Sequence, residues 1–450
     1  MDPDGGDYRV APGSPAEGYG CQTFRRVDDP PGGTDLSPAA CQRTRWRDEI
    51  EVSGSIGVDT LWAADTVRVV GDVTVEDGVT LRIAPGVRVE FQDYYSLRVA
   101  GSLLAVGRPD AWIVFTTDEP EDFVVDSSLV GCWNGIRFEG TRATNAPSYL
   151  AYCVIEYSKA AGTGTGLHPY GGGAVSVMDF SALTIENCVI RNNVAGYGGA
   201  LFLYCNANVR VMGNLITHNH ALGNGGAIYC AYSYPRIFNN TLVRNRIHNE
   251  DDPYAETGAI VNFLAKPLLL SNILRDNSPD IVFDHAQIRN GKAYYTHFNN
   301  IEGYTPLDDN IDADPLFVDP RGPDGDPDTW QDNDYHLLAG SPCIDAGEPD
   351  PQLAPRTDVD GQKRVWDGDG DAAARVDMGS DEFASHRYGD LNCDGDLDGF
   401  DIQPFVLALT DPAAYGAAHP GCDPLLADCN GDGVVDGFDI QPFVALLTEG

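Results

Sequence analysis

Two twelve-residue stretches near the end of the chain carry oxygen-bearing side chains at alternate positions. The first begins at Asp390 and offers Asp390, Asn392, Asp394, the carbonyl of Asp396, Asp398 and Asp401, with Gly395 in sixth place. The second begins 38 residues later and offers Asp428, Asn430, Asp432, the carbonyl of Val434, Asp436 and Asp439, with Gly433 in sixth place. Calcium loops draw their ligands from positions 1, 3, 5, 7, 9 and 12 and need Gly at position 6 for a sharp turn. Every side-chain donor is a hard oxygen, so the expected chemistry is ligation of two Ca²⁺ ions rather than of a soft metal. One such loop arises by chance; two in register make the reading specific.

The elements that would hold these loops follow them. Ile402, Phe405, Val406 and Leu409, then Ile440, Phe443, Val444 and Leu447, recur at i, i+3, i+4, i+7 and predict an exit helix after each loop. No amphipathic helix precedes either loop, so neither is a complete helix–loop–helix hand. A duplicated loop and exit helix with Asp at position 12 resembles the type I dockerin family over residues 389–450. The resemblance implies two half-hands packed face to face, folding coupled to metal, and a cohesin-like module as partner. Members of that family read their partner largely at loop positions 10 and 11, usually with a hydroxyl residue. Here those places are Gly399-Phe400 and Gly437-Phe438, which leaves Phe400 and Phe438 as exposed anchors or as internal packing. A calcium-stabilised tail with no partner is the other reading.

The bulk numbers set the frame. With 450 residues, 42% hydrophobic content and 10% aromatics, the chain can build a sizeable core. Fifty Gly and 29 Pro residues favour short strands and turns over long helices. A net charge of −39, from 68 acids against 29 bases, disfavours nucleic acid and anionic membrane surfaces as partners. From Gly389 onward there are 12 acids and no Lys or Arg. No apolar run reaches membrane-spanning length. The first residues lack signal-peptide character, so a secreted or cell-surface location requires a signal that was removed or lies upstream. Eleven Cys residues cannot all pair internally. Cys21 with Cys41, and two of Cys393, Cys422 and Cys429, are candidate pairs, whereas Cys153 and Cys188 fit a buried column.

Between these ends the chain repeats. "GGAVSV" at Gly172, "GGALFL" at Gly198, "GGAIYC" at Gly225 and "TGAIVN" at Thr257 are offset by 26, 27 and 32 residues. Each is followed by two further short apolar stretches, which describes one three-stranded rung of a solenoid. Asn187, Asn214, Asn240 and Asn272 are expected to stack as an amide column, and Gly173, Gly199, Gly226 and Gly258 to occupy a bend without room for Cβ. Arg191, Arg244 and Arg275 read as a solvated column, and His218 and His220 as corner residues. Residues 60–303 resemble the right-handed parallel β-helix family, the architecture of pectate lyases and many secreted surface proteins. The fold class expected is all-β, a right-handed parallel β-helix solenoid followed by a small all-α calcium-binding module.

Expected boundaries are 1–50 for an N-terminal segment, 51–305 for the β-helix, 306–388 for an acidic closing segment and 389–450 for the tail. "DYRVAPGSPAEGYG" (7–20) echoes "DYHLLAGSPCIDAG" (334–347), so residues 1–50 read as the end of a preceding module. The closing segment is expected to cover the last rung, and a further Ca²⁺ near Asp367–Asp377 is a candidate.

The resemblance raises catalysis, which the residues do not support. With Val175, Leu201, Ile228 and Ile260 inward, the outward strip carries Phe202, Tyr204, Tyr229 and Phe263 but no acid pair for proton abstraction or glycoside cleavage. That strip is a candidate platform for sugar rings, or a surface covered by loops or a partner. His168 and Tyr170 in one loop, with His248, Glu250, Asp251, Asp252 and Glu256 in another, complete the candidate chemistry. The expectation is a tethered protein that binds glycan or a protein partner; the alternative is a polysaccharide lyase or glycosidase in an anchored assembly.

Overall fold

The computed structural model describes residues 49–126, 128–160, 171–180, 182–247, 258–277, 281–283, 296–303, 309–368, 373–383, 388–393, 397–419, 422, 424–430 and 434–449. The chain divides after Trp46, and all of these residues lie in the unit Arg47–Gly450. The candidates His168, Tyr170, His248, Glu250, Asp251, Asp252 and Glu256, the pair Cys21 and Cys41, and residues 1–48 fall outside the described residues.

Period-two sequence produces the strands. In Thr66–Val75, Val67, Val69, Val73 and Val75 are buried while the residues between them face outward. Each turn of chain then lays down three strands, as in Val175–Met178, Leu183–Glu186 and Val189–Arg191. Each pairs in parallel with its counterpart one turn on, in Leu201–Tyr204, Arg210–Met212 and Leu215–Thr217. The sheet of second strands has nine members, one per turn, from Thr60–Trp62 to Thr296–His297. The fold is a parallel β-solenoid, with Val175, Leu201, Ile228 and Ile260 inward in one continuous core. A four-stranded parallel sheet beginning at Lys159–Ala160 extends the corner after the third strand.

Two polar columns pin the register. Cys188 N–H donates to Asn214 Oδ1, and the chain of amides continues through Asn240, Asn272, Asn299 and Asn310. This corrects the expected column by one residue. Asn187 lies at the preceding left-handed corner with φ 50°, and buried Cys153 and Cys188 precede the asparagines in the ladder. A second ladder, unread in the sequence, runs Ser158, Asn193, Asn219, Asn245, Asn277. The glycine column stands for the expected reason: a Cβ on Gly199 would lie 2.5 Å from the His220 carbonyl oxygen of the next turn. Asn240 shows what the ladder is worth. Its Nδ2 donates to Val211, Phe238 and Asn272, and its Oδ1 accepts from the backbone and side chain of Asn214. Asn240→Ala strands several buried polar groups and should lower stability by about 3 kcal/mol, seen as a lower urea midpoint.

The closing segment does more than reach the last turn. Ile311 pairs with Asn300 and Asn310 ends the amide ladder, after which the chain runs back along the third-strand face. Trp330 stacks on the Arg191 guanidinium at 3.8 Å, and the His218 imidazole meets the Pro327 carbonyl at 2.9 Å. Arg244 faces Asp328 at 3.5 Å, and Ser380 N–H donates to Thr241 Oγ1 at 2.9 Å. Thr357 meets Tyr152 at 2.7 Å. The arginines are therefore not a solvated column, and Arg244 is not in register with the others: Arg191 pairs through Thr217 and Val243 to Arg275. His218 is likewise buried. The physical cause is the composition of the outward side. Thr217, Thr241, Val243 and Ile273 point away from the core yet are buried, so this face needs a second covering layer.

Candidate functional site

In the tail, α1 (Ile402–Thr410), α2 (Pro412–Ala418) and α3 (Ile440–Glu449) surround a small core. Phe405 of α1 stacks on Phe443 of α3 at 3.9 Å, so the exit helices meet through equivalent residues. The Tyr415 hydroxyl donates to the Leu391 carbonyl at 2.9 Å, and Trp366 of the closing segment packs on the same core. α2 was not read from the sequence, although Asp411-Pro412 is an N-cap signature, and Asp411 accepts from Ala414 N–H at 3.0 Å. Cys393 and Cys422 form a disulfide, leaving Cys429 as the unbridged member of the three.

Positions 1 and 12 of both loops are buried: Asp390, Asp401, Asp428 and Asp439 are each at most 1% exposed. Asp401 accepts from the amides of Leu391 (2.8 Å), Asn392 (3.1 Å) and Asp398 (2.9 Å), which aims its carboxylate across the loop. Asp439 accepts from Asn430 (3.0 Å) and Asp436 (2.8 Å) in the same way. Burial raises the Asp401 carboxyl above its ordinary range, and the charge of Asp390 adds to this against the pull of the amides. Lys363 lies 3.6 Å from Asp428. Asp394, Asp396 and Asp432 fall outside the described residues; Asn392, Asp398, Asn430, Val434 and Asp436 flank the buried carboxylates along each loop. Carboxylates gathered out of water in this way, with amide and carbonyl oxygens beside them, suit a hard divalent cation.

Only half of each helical stripe is internal. Phe405, Ala408 and Phe443 are buried, but Ile402, Val406, Ile440 and Val444 are about half exposed, and Phe400 and Phe438 are 76% and 79% exposed. A helix of this length touches the tail core along one line, and a stripe at i, i+3, i+4, i+7 is wider than that line. The tail therefore shows two equivalent apolar triads: Phe400, Ile402 and Val406, and Phe438, Ile440 and Val444.

The first-strand face departs from an open platform. Phe202 is fully buried beneath the Gly171–Gly172 turn, whose carbonyls accept from the Arg137 guanidinium. Tyr229 is buried between Phe202 and Tyr197. Neither can stack a ligand. What stays accessible is the strand end, where the rings of Tyr204, Tyr232 and Phe263 follow one another at 5.9 and 5.6 Å.

The closing segment carries its own buried charge. Arg364 is 1% exposed and donates to the carbonyls of Asp377 and Gly379, each at 2.9 Å. Around it lie Asp358, Asp377 and Glu382, all buried, with Glu382 Oε2 3.6 Å from Arg364 Nε. Desolvation pushes the carboxyls of Asp358 and Asp377 up to about 7. Asp377 accepts the amides of Asp345 (2.7 Å) and Phe383 (2.6 Å), which ties it into this network. Asp369 and Asp371 lie outside the described residues, and Asp367 is half-buried.

Fold and site together define a parallel β-solenoid, covered along one face by its own closing segment and followed by a small helical module with two acidic loops. No helix among the described residues is long and apolar enough to cross a membrane. Neither the models of known protein families nor the curated proteins include a match to this chain.

Proposed function

We propose that the chain is a tethered binding protein: a right-handed, pectate-lyase-like β-helix delivered through a calcium-loaded, dockerin-like tail that docks a cohesin-type module. The observation that carries this reading is the pair of exposed apolar triads, each seated beside its own set of buried carboxylates. Apolar surface repeated at equivalent positions on so small a module favours a protein partner over solvent. Ca²⁺ held by each loop would offset the cost of burying Asp390, Asp401, Asp428 and Asp439, and so hold Phe400 and Phe438 at the surface. Equivalent triads let either half engage. The accessible row Tyr204, Tyr232 and Phe263 supports a glycan as the ligand of the β-helix, because aromatic rings stack on the apolar faces of sugars.

The test is binding of the full chain to a panel of cohesin-type modules, with Ca²⁺ and with chelator. Phe400→Ala or Phe438→Ala alone should weaken binding by about twofold, since one face remains, and the double variant by roughly 100-fold, as expected for paired aromatic anchors. Binding that ignores chelator, or a double variant that binds as well as the parent, would sink the proposal.

A further inference from the structure

The closing segment contains a second kind of donor cluster, distinct from the acidic loops of the tail. His336 lies on Asp334–Leu337, a strand paired antiparallel with Phe317–Asp319. Its Nε2 is 2.7 Å from Asp360 Oδ2, and its Nδ1 is 2.5 Å from Asp334 Oδ1. Donor atoms of His336, Asp360 and Asp381 all lie within 4.8 Å of one another. Asp381 is 7% exposed, and its Oδ2 is fixed by the Leu337 amide at 2.8 Å.

We propose that His336, Asp360 and Asp381 form a site for a first-row divalent metal ion, for which zinc is the probe.

Three features support this. The donor set is mixed: imidazole draws Zn²⁺ and its neighbours in the series, and two carboxylates complete a neutral set for a divalent ion. Next, Asp334 occupies the place of an outer carboxylate. A metal-bound histidine characteristically gives its second ring N–H to such a group, which fixes the tautomer and aims the other nitrogen at the metal. Finally, the neighbourhood is rich in carboxyls, and Asp360 above all raises the His336 imidazole to about 10, so a bound ion would take over the charge of the proton it displaces. Buried Asp358, Asp377, Asp381 and Glu382 surround one buried cation, Arg364, among the described residues. Two ligands on one tetrahedral zinc lie about 3.3 Å apart, given bonds near 2.0–2.1 Å, so the His336–Asp360 pair would open by about half an ångström. Asp360 and the His336 side chain are partly exposed, which gives the ion an entry path and leaves a coordination place for water.

Such an ion would join three points that are distant in sequence: the strand at 336, the turn at 360 and the buried strip at 381. Its consequence is a metal-locked closing segment, held against the third-strand face more firmly when the ion is bound.

The experiment titrates Zn²⁺ into the full chain by calorimetry in excess Ca²⁺, which keeps hard-ion sites filled. One zinc per chain is expected, with a rise in melting midpoint. His336→Gln should weaken zinc binding at least tenfold and abolish that rise. Asp381→Asn tests the buried ligand, and the half-exposed His336 variant keeps the test decisive if that buried substitution disturbs folding. Co²⁺ in place of Zn²⁺ should give weak visible bands without a sulfur charge-transfer band. The proposal fails if Zn²⁺ does not bind in Ca²⁺, if His336→Gln binds it equally, or if Co²⁺ reports a thiolate ligand. In those cases His336 is an imidazolium bridging carboxylates and nothing more.

Discussion

Arg364→Met should loosen the closing segment from the solenoid, at a cost of about 3–5 kcal/mol near neutral pH, the usual penalty for removing one partner of a buried charge network. The methionine fills similar volume but leaves Asp358, Asp377 and Glu382 without their buried counter-charge, and frees the Asp377 and Gly379 carbonyls. Hydrogen exchange across residues 345–383 would show faster opening there than in the early turns of the solenoid. Equal protection in variant and parent would mean the network does not hold the segment down.

The same network gives the pH dependence its sign. The Asp377 carboxyl stands at about 7 in the folded chain, raised by desolvation, against about 3.9 when unfolded. Between those values the folded state holds the proton and the unfolded state does not, so stability falls as pH rises from about 4 to 7. The groups acting on Asp377 are the Arg364 guanidinium, the carboxyls of Asp381 and Glu382, and the amides of Asp345 and Phe383, and the charge on Arg364 stays constant across this window. Closing-segment protection should therefore be greater at pH 5.5 than at pH 8. Asp377→Asn, which keeps the shape without the charge, should flatten part of that slope. Arg364→Met should be partly rescued at pH 5.5, and no pH effect in either protein would contradict the assignment.

On the proposed calcium ligation, chelator should unfold the tail while the solenoid persists. Without a cation, four carboxylates in two loops remain buried, in a module whose core is little more than Leu391, Phe405, Ala408, Tyr415, Leu426 and Phe443. Chelator should raise cleavage by chymotrypsin at least 100-fold at tail aromatics, with the order of magnitude set by ligand-linked stability. Chymotrypsin is the suitable protease because residues 389–450 contain no Lys or Arg. The Cys393–Cys422 disulfide ties the first loop to the connection that follows α2, so α3 should open first. Added Ca²⁺ should restore protection in the parent but not in a paired Asp401→Ala, Asp439→Ala variant. A tail equally protected in chelator would refute metal-dependent folding.

The sequence was most legible where a residue type answers to a local demand. Twin oxygen-donor loops, alternation in the strands, and glycine where the next turn's backbone passes within van der Waals reach are each set within a few residues. Registers were less legible. Asn187 and Asn214 look equivalent in a string, but the corner uses Gly213 where the previous turn uses Asn187, so the buried amide column starts one residue later. The second ladder had a signal, an Asn closing the third strand of each repeat, that only stacked rungs make obvious. Arg191, Arg244 and Arg275 misled because arginine is ordinarily a surface residue.

Short-range rules thus determined the solenoid, the acidic loops and the exit helices, since backbone geometry, turn chemistry and side-chain periodicity act within one turn of chain. Only the tertiary structure decided which of two apolar sides is covered. It put Phe202 and Tyr229 under a turn, left Ile402, Val406, Ile440 and Val444 in solvent, and laid a segment from beyond the last turn along the third-strand face. Burial depends on which distant surfaces compete for one another, and no spacing within a repeat encodes that. The meeting of His336 with Asp360 and Asp381 has the same origin: three residues far apart in the chain became neighbours when the closing segment folded back.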